Sequence, residues 1–338
     1  MNWPLALAWL CALVVGYSIN QGGTCGVASA RALVENGQID GFAGFAVATG
    51  AAGIVCLPAV WALGMGGHAS SIATITPALC GGAILLGLGA VLNDACLLGS
   101  LWRLGNGELR FLGLPAGLAV GFALAVLVPA GIGPPLQPNP LVTPSLQGVG
   151  IVAGSVAILA AALALLRRLP RRKEGAWPLA VAMGVLGVTG AALYVLQPGW
   201  SYAETIRRGV SPVMAMVVAS NGGAIAAVLT VVGACASAIR LGVFHPSRPS
   251  ANGLARSFGG GILIAIGALT IPGGNDTLLL AAVPAGSMSG ALAYTIMTFV
   301  ILACVALGRR RRRLRRNLLP ANASQLPSPR DATMCRTS

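Results

Sequence analysis

Residues 287–316 read SMSGALAYTIMTFVILACVALGRRRRRLRR, an uncharged apolar run that ends in a cluster of seven arginines. A run of about 20 mainly apolar residues is long enough to cross a bilayer as a helix. Arginines that directly follow such a run are typical of its cytoplasmic end. This stretch therefore predicts a membrane-spanning helix whose C-terminal end lies in the cytoplasm.

The composition of the whole chain extends this prediction. Of the 338 residues, 56% are hydrophobic and only 9% are charged, and the mean hydropathy is +0.81. A soluble protein carries about 25% charged residues, so this chain has too few to cover a soluble core, and a cytosolic enzyme fold is excluded. The net charge of +14 does not indicate a nucleic-acid partner, because the arginines cluster at the end of an apolar run instead of alternating with aromatic residues.

The eight cysteines and two histidines form no metal-binding or disulfide pattern. No two cysteines stand in a C-x-x-C arrangement, and the two histidines, His68 and His245, lie in different loops. We therefore expect no disulfide framework, no metal site and no cofactor.

Nine stretches have the length and apolar character of membrane spans. They cover approximately residues 3–19, 41–63, 75–92, 111–132, 148–166, 177–196, 212–239, 258–271 and 287–307. An odd number of spans puts the two termini on opposite sides of the membrane. With the arginine cluster in the cytoplasm, the basic loops 103–110, 167–173 and 240–256 are cytoplasmic too, and the N-terminus lies outside.

Four connections between spans are polar, rich in glycine and followed by a short helical stretch: 21–34, 93–104, 198–209 and 272–280. Irregular backbone is tolerated at membrane depth only where it is buried in protein or lines a cavity, so these loops mark a pathway. The order of spans and polar loops is the same before and after the stretch 148–173. An odd number of intervening spans inverts one half relative to the other, as in many secondary transporters.

The predicted fold is thus an all-α integral membrane protein with about nine spans, four re-entrant polar loops and an inverted internal repeat. Residues 1–316 form one transmembrane domain, with a first repeat in 1–134, a linking span and basic loop in 148–173, and a second repeat in 174–308. The polar residues 317–338 are predicted to be a disordered cytoplasmic tail. Glycines in the runs 87–89 and 259–261 lack the strand and turn context of a dinucleotide site, and they predict close helix packing instead.

Two cysteines, Cys25 and Cys96, stand where short helices begin inside the polar loops. A thiol is a weak hydrogen-bond donor with a polarisable sulfur, suited to holding a soft anion briefly. The N-terminal end of a helix also favours an anion. The alternative is that both are small residues in tight packing, which is the interpretation we adopt for the cysteines inside the spans.

The charged residues of the polar loops are the other candidates. Asp94, Glu204 and Asp276 fall at predicted membrane depth, where ionisable groups are costly and usually functional. Asp94 and Asp276 could equally be helix caps or loop staples. Arg207 and Arg208 are on the predicted outer side, where they would attract anions. Glu204 lies three residues before Arg207, so an intrahelical ion pair would also explain both.

Three segments give this chain a resemblance to a known family: QGGTCGVA at 21–28, LGNGEL at 104–109 and IPGGND at 271–276. They resemble the YeeE/YedE sulphur transport family over nearly the whole chain. The resemblance implies nine spans around four central loops, thiosulfate import across a bacterial inner membrane, and a periplasmic N-terminus. It also implies a cytoplasmic sulfurtransferase partner of the TusA type, and it matches Cys25 and Cys96 to cysteines that line the path.

The chain departs from the thiosulfate importers of that family at two places. Asn275 stands where those importers have a third pathway cysteine, and Asp94-Ala95 replaces the usual Gly-Gly before the second cysteine. An amide has two N–H donors and one carbonyl acceptor, so Asn275 favours the oxygen-rich end of an anion. Alternatively, it is a turn residue beside two glycines and touches no substrate.

These observations predict a permease for a small sulfur-containing anion, most readily thiosulfate or a related species, that relays its substrate between pathway residues. The candidates are Cys25, Cys96, Asn275, Gln21, Thr24, Asn93, Asp276 and Arg207. A membrane-embedded thiol or persulfide protein, acting as a redox pair or sulfurtransferase, is the rival from another class. A channel for a non-sulfur anion is the third possibility.

Overall fold

The computed structural model describes residues 3–64, 71–126, 135–168, 176–198, 200–210, 222–271 and 273–318. Helices dominate these residues, and the strands among them form one antiparallel pair, β1 (Ser71–Ala73) with β2 (Leu136–Pro138). The end of the predicted span 111–132, the start of the predicted span 212–239 and most of the predicted tail lie outside the described residues. Of that tail, Leu318 and the residue before it belong to the last helix.

Nine helices correspond in position to the nine predicted spans. They are α1 (Trp3–Gly22), α3 (Asp40–Leu63), α4 (Pro77–Asn93), α6 (Gly113–Val126), α7 (Leu146–Arg167), α8 (Leu179–Leu196), α10 (Gly222–Arg240), α11 (Ala251–Thr270) and α13 (Met288–Leu318). In the described part of the chain, eight segments are long and apolar enough to cross a membrane. The α6 helix is shorter, and the residues that follow it are not described. The protein is therefore an all-α, multi-pass membrane protein.

Four shorter elements follow the polar loops: α2 (Gly26–Asn36), α5 (Leu97–Gly105), α9 (Tyr202–Val210), and α12 (Asn275–Thr277), which continues as a π-helical turn over Leu278–Ala282. Two 3₁₀ turns, Leu109–Leu112 and Pro140–Val142, complete the structure. Among the described residues, the order long, short, long, long, short, long is the same before and after α7. The opposite membrane orientation of the two halves stays a prediction.

The long helices pack through glycines, as the sequence predicted. A Cβ added at Gly89 would stand 2.8 Å from the carbonyl oxygen of Gly260, and one at Gly261 would stand 2.6 Å from that of Leu114. These contacts join α11 to α4 on one side and to α6 on the other. Side chains larger than a hydrogen atom would separate the helices, so the small residues set the distance at which the two halves meet.

Candidate functional site

Two thiols meet at the N-terminal ends of α2 and α5. Cys25 is the N-cap residue of α2 and Cys96 is the N-cap residue of α5, and both have extended backbone conformations. Both side chains are buried, and each lies against the first turn of the other's helix. The backbone N–H of Gly26 donates to the Sγ atom of Cys96 at 3.4 Å. The first turns of two helices therefore point their N–H groups toward one pair of sulfurs.

The close approach of these helices depends on Gly99, in the first turn of α5. A Cβ at this position would lie 2.4 Å from the Sγ atom of Cys25 and 2.7 Å from its Cβ atom. Both distances are shorter than a van der Waals contact, so a side chain at position 99 would clash with Cys25. Only glycine allows α5 to lie against Cys25. Gly99 belongs to the stretch that resembles the YeeE/YedE family, but it was not predicted as a site residue, because glycines are common throughout this chain.

The second half of the chain contributes Asn275 to the same place. Asn275 is buried, and its Oδ1 atom accepts a hydrogen bond from the backbone N–H of Leu97 at 3.2 Å. Leu97 follows Cys96 directly, so the amide caps the helix that begins at the second thiol. From α9, the hydroxyl of Tyr202 donates to the carbonyl oxygen of Leu97 at 3.4 Å. Elements of both halves thus converge on the start of α5.

Asp276 lies next to this point and is almost completely buried, with 2% of its surface exposed. Its Oδ2 atom accepts a hydrogen bond from the Tyr194 hydroxyl at 3.2 Å, and the same hydroxyl lies 2.9 Å from Oγ1 of Thr277. Its Oδ1 atom is buried and has no hydrogen-bond partner among the described residues. The carboxyl therefore joins its loop to α8, and it does not act as the N-cap of α12, which is Gly274.

Asp94 has a different surrounding from the one we expected for a helix cap. It adopts a left-handed conformation with φ 69° at the C-terminal end of α4, a conformation that Asp tolerates better than most residues. Its carboxylate pairs with Arg31 and with Arg110, the latter at 3.1 Å, and Arg103 lies 4.0 Å away. The loop is thus stapled by ion pairs between segments that are distant in sequence.

We define the arginine cluster as Arg31, Arg103 and Arg110 together with Asp94 and Glu108, which accepts from Arg103 at 3.4 Å and from Arg110 at 3.3 Å. Three positive and two negative charges leave a net positive charge. Arg31 lies on α2 and Arg103 on α5, one to two turns beyond the thiols that begin those helices. Asp94 stands two residues before Cys96, so the cluster lies alongside the two short helices that begin at the thiols.

Three other predicted pathway residues fix the loops to neighbouring helices. Gln21 donates to the Ser237 hydroxyl at 3.1 Å and accepts from the Trp177 backbone N–H at 2.9 Å. Asn93 donates to the Ser100 hydroxyl at 2.8 Å and accepts from the Ser257 hydroxyl at 2.7 Å.

The third of these residues, Thr24, precedes Cys25, and its hydroxyl donates to the Met183 sulfur at 3.4 Å. All three side chains are buried. In Gln21 and Asn93, both the amide nitrogen and the amide oxygen form hydrogen bonds. Asn93 also donates to the carbonyl oxygen of Ala95 at 2.7 Å, so its amide holds the residue that precedes Cys96.

Arg207 forms the intrahelical ion pair that was the alternative interpretation. Its Nη2 atom lies 2.6 Å from Oε1 of Glu204, and Nε of Arg208 lies 2.9 Å from the same oxygen. Hydrogen bonds from the two arginines therefore compensate the charge of the Glu204 carboxylate. The three side chains leave α9 with a net positive charge, and Arg207 itself is occupied.

Sequence reasoning missed the aromatic residues around Asp276. Tyr194 and Trp200 are fully buried and their rings are in edge contact, with centroids 5.2 Å apart. The indole Nε1 of Trp200 has no hydrogen-bond partner in the described residues. Tyr194 lies inside a predicted span, where the sequence does not distinguish it from the apolar residues around it. Only the structure shows that its hydroxyl group is buried and needs a hydrogen-bond partner.

An apolar cavity of about 290 Å³ lies between α5, α6, α9 and α10, beside Ser100 and Tyr202. Its walls are mostly aliphatic and aromatic, including Leu114, Ile206 and Val231. Such walls offer little compensation for a buried negative charge, so this cavity is a poor site for a small anion.

The comparison with protein families gives one match. A family model described as sulphur transport matches residues 21–304, a range that contains all four polar loops and both thiols of the pair. No curated protein matches the chain.

Proposed function

The chain belongs to the sulphur transport family, and from this premise we propose that it imports a small sulfur-containing anion, thiosulfate or a related species, through the thiol pair. The observation that carries the proposal is the proximity of Cys25 and Cys96 at two helix N-termini, with Asn275 of the other half accepting from the Leu97 N–H beside them. Such a site offers S–H and N–H donors to a small anion.

The charge distribution gives the proposed path a direction. The net positive charge of α9 raises the local concentration of anions at one end. At the centre, N–H groups of the first turns of α2 and α5 compensate the negative charge without holding it as tightly as an arginine would. The arginine cluster lies beside α2 and α5, with Arg31 and Arg103 one to two turns beyond the thiols. Several weak stations in series let an ion enter and also leave.

In the proposed relay, Asn275 meets the oxygens of the anion first, and the thiols of Cys96 and Cys25 then hold its sulfur by successive S–H hydrogen bonds. No covalent bond forms. A cytoplasmic sulfurtransferase of the TusA type would receive the anion after release. Uptake of labelled thiosulfate, sulfite, sulfate and selenite into vesicles that contain the purified protein tests the substrate class. We expect thiosulfate to enter fastest, and a preference for sulfate would contradict the role of the thiols.

The contact between the two thiols also favours one rival, a thiol redox protein or sulfurtransferase. In that case Cys25 and Cys96 would cycle between dithiol and disulfide, or one would carry a persulfide. Mass measurement of the purified protein after incubation with thiosulfate separates the two functions. A permease keeps both thiols at their unmodified mass, whereas a stable mass increase of one sulfur on either cysteine would support the rival.

We predict that the C-terminus is cytoplasmic and the N-terminus periplasmic in a bacterial inner membrane. Arg309 donates to the carbonyl oxygens of Val34 and Glu35, and Arg312 pairs with the Glu35 carboxylate at 3.0 Å. The arginine run of α13 thus lies at the same end of α2 as Arg31, which supports one positively charged face. Reporter fusions after Arg316 and before Trp3 measure the orientation. Both ends on the same side would contradict the span count.

Asn275→Cys is expected to shift the preference between thiosulfate and sulfite toward thiosulfate by about three- to tenfold. The change removes two N–H donors for anion oxygens and adds one soft donor, and each hydrogen bond contributes about 1 kcal/mol. Transport should persist, because the helix start at Leu97 loses only one accepted hydrogen bond. Competition uptake with both labelled anions measures the ratio.

Asn275→Asp is the matched control, because it keeps an acceptor for the Leu97 N–H and removes both amide donors. We expect it to weaken uptake of both anions. Uptake at the wild-type rate, together with an unchanged ratio in Asn275→Cys, would assign Asn275 to the turn alone.

A further inference from the structure

We propose that Asp276 binds a proton that enters and leaves together with the anion, so that uptake is coupled to an inward proton gradient. This inference rests on the proposed function and adds its energy source. It is carried by the position of the Asp276 carboxyl, which is buried beside Asn275 and the first turn of α5.

The carboxyl has too few partners for a permanent charge. Tyr194 donates one hydrogen bond to Oδ2, and the backbone N–H groups of Asp276 and Thr277 also act on the carboxyl. Its Oδ1 atom has no hydrogen-bond partner in the described part of the chain. Among the described residues, no arginine, lysine or histidine forms an ion pair with Asp276. A buried carboxylate without a counter-charge is strongly disfavoured relative to the neutral acid.

The unpartnered oxygen lies near the Leu97 side chain, at the start of α5. A Cβ added at Gly274 would lie 2.6 Å from Oδ1 of Asp276 and 2.3 Å from Cδ1 of Leu97. Oδ1 therefore shares this small space with the residue that follows Cys96. A proton on Oδ1 would make it an O–H donor near the start of α5, where Asn275 bonds to Leu97, and the anion would be its acceptor.

None of the neighbouring titratable groups replaces the missing counter-charge. Tyr194 of α8 and Tyr202 of α9 are neutral phenols, and Cys96 of α5 is a thiol that is neutral or negative. Glu204 of α9 adds a negative field, and its arginine partners are engaged with it. An anion arriving beside Asn275 would therefore meet a second negative charge if Asp276 were ionised.

The proton balance is simple. On the loading side, water supplies a proton to Oδ1, and the O–H formed then donates to the bound anion. When the anion moves on toward the arginine cluster, the proton returns to water on the release side and the carboxylate is restored. No electrons move and no covalent bond to the anion forms. Repulsion prevents the anion from occupying the site while Asp276 is charged, which ties the two movements together.

The test uses vesicles with the purified protein, an inward gradient of about one pH unit, and a membrane potential held at zero by potassium and valinomycin. For one proton per anion, thiosulfate should accumulate about tenfold, because a tenfold concentration ratio balances one pH unit. Asp276→Asn is permanently neutral and should equilibrate thiosulfate without accumulation. Asp40→Asn, at the start of α3, is the control variant that should accumulate as wild type does.

Equilibration without accumulation in the wild type would overturn the proton coupling and leave the proposed function standing. Accumulation by Asp276→Asn would overturn the assignment to this residue. If none of the tested sulfur anions enters, the proposed function itself fails, and the coupling with it.

If Asp276→Asn does not insert or fold, infrared difference spectra of the wild-type protein decide the assignment. Asp276 is the one buried acid among the described residues. Addition of thiosulfate should perturb the C=O band of a protonated carboxyl, and no such band in the bound state would overturn the proposal.

Discussion

Replacing Cys96 by alanine is expected to lower thiosulfate uptake by about 10- to 100-fold, and Cys25→Ala should have a similar effect. Each change removes an S–H donor from the station where two helix N-termini meet. A loss of about 1.4 to 3 kcal/mol of stabilisation for the passing ion corresponds to that range. Serine keeps a donor but not a soft sulfur, so Cys96→Ser should lie between alanine and wild type.

Cys56→Ala is the matched control, because Cys56 is also a buried cysteine and lies in α3, in a separate apolar cluster. We expect it to leave the uptake rate within about twofold of wild type, with at most about 1 kcal/mol lost in stability. Vesicle uptake normalised to protein content measures all four variants. Equal losses for Cys56→Ala and Cys96→Ala would mean that cysteines act here through packing only.

Gly99→Ala is expected to reduce both stability and transport. The added Cβ would overlap the Sγ and Cβ atoms of Cys25, at 2.4 and 2.7 Å. Such overpacking costs about 1 to 3 kcal/mol. Because α5 must move away from α2, the thiol contact should open, and uptake should fall at least about 10-fold. Thermal unfolding in detergent and vesicle uptake give the two readouts.

Two further variants separate the local clash from a general effect of alanine. Gly154→Ala, in α7, has nothing within 4 Å of its added Cβ, so it should leave uptake unchanged and stability equal or higher. Cys25→Gly combined with Gly99→Ala removes both overlapping atoms. This double variant should regain part of the lost stability without regaining transport. If the double variant is no more stable than Gly99→Ala, the clash with Cys25 is not the reason why position 99 requires glycine.

The fold could be predicted from the sequence because the bilayer imposes a strict rule. Every span must satisfy its backbone hydrogen bonds internally, so uncharged runs of suitable length become helices wherever they occur. A helix boundary differs from its predicted position where a capping residue determines it. The span predicted to begin at residue 258 begins at Ala251, because Ser250 caps the helix by accepting a hydrogen bond from the Gly253 N–H at 3.1 Å.

The candidate site was predictable only in part. Cys25, Cys96 and Asn275 were selected because each stands in a polar, glycine-rich loop, and the structure places all three at or beside the starts of α2 and α5. Gln21 and Asn93 stand at the ends of α1 and α4, where Gln21 bonds to Ser237 of α10 and Asn93 to Ser257 of α11 and Ser100 of α5. The number of residues between a side chain and a cysteine does not predict the direction in which that side chain leaves its helix.

The partners of Asp94 could not be found at all. Arg31 and Arg110 are 63 and 16 residues away, and only the folded chain selects them among many arginines. The same holds for the contact of Tyr194 with Asp276, which joins residues 82 positions apart.

The most direct test of the account is an experimental structure of the protein with thiosulfate bound. We predict the anion between the start of α2 and the start of α5, with its terminal sulfur within about 4 Å of the Sγ atom of Cys25 or Cys96 and an oxygen near Asn275. An anion bound only at the arginine cluster or in the apolar cavity between α5, α6, α9 and α10, with the thiols untouched, would contradict the proposed relay.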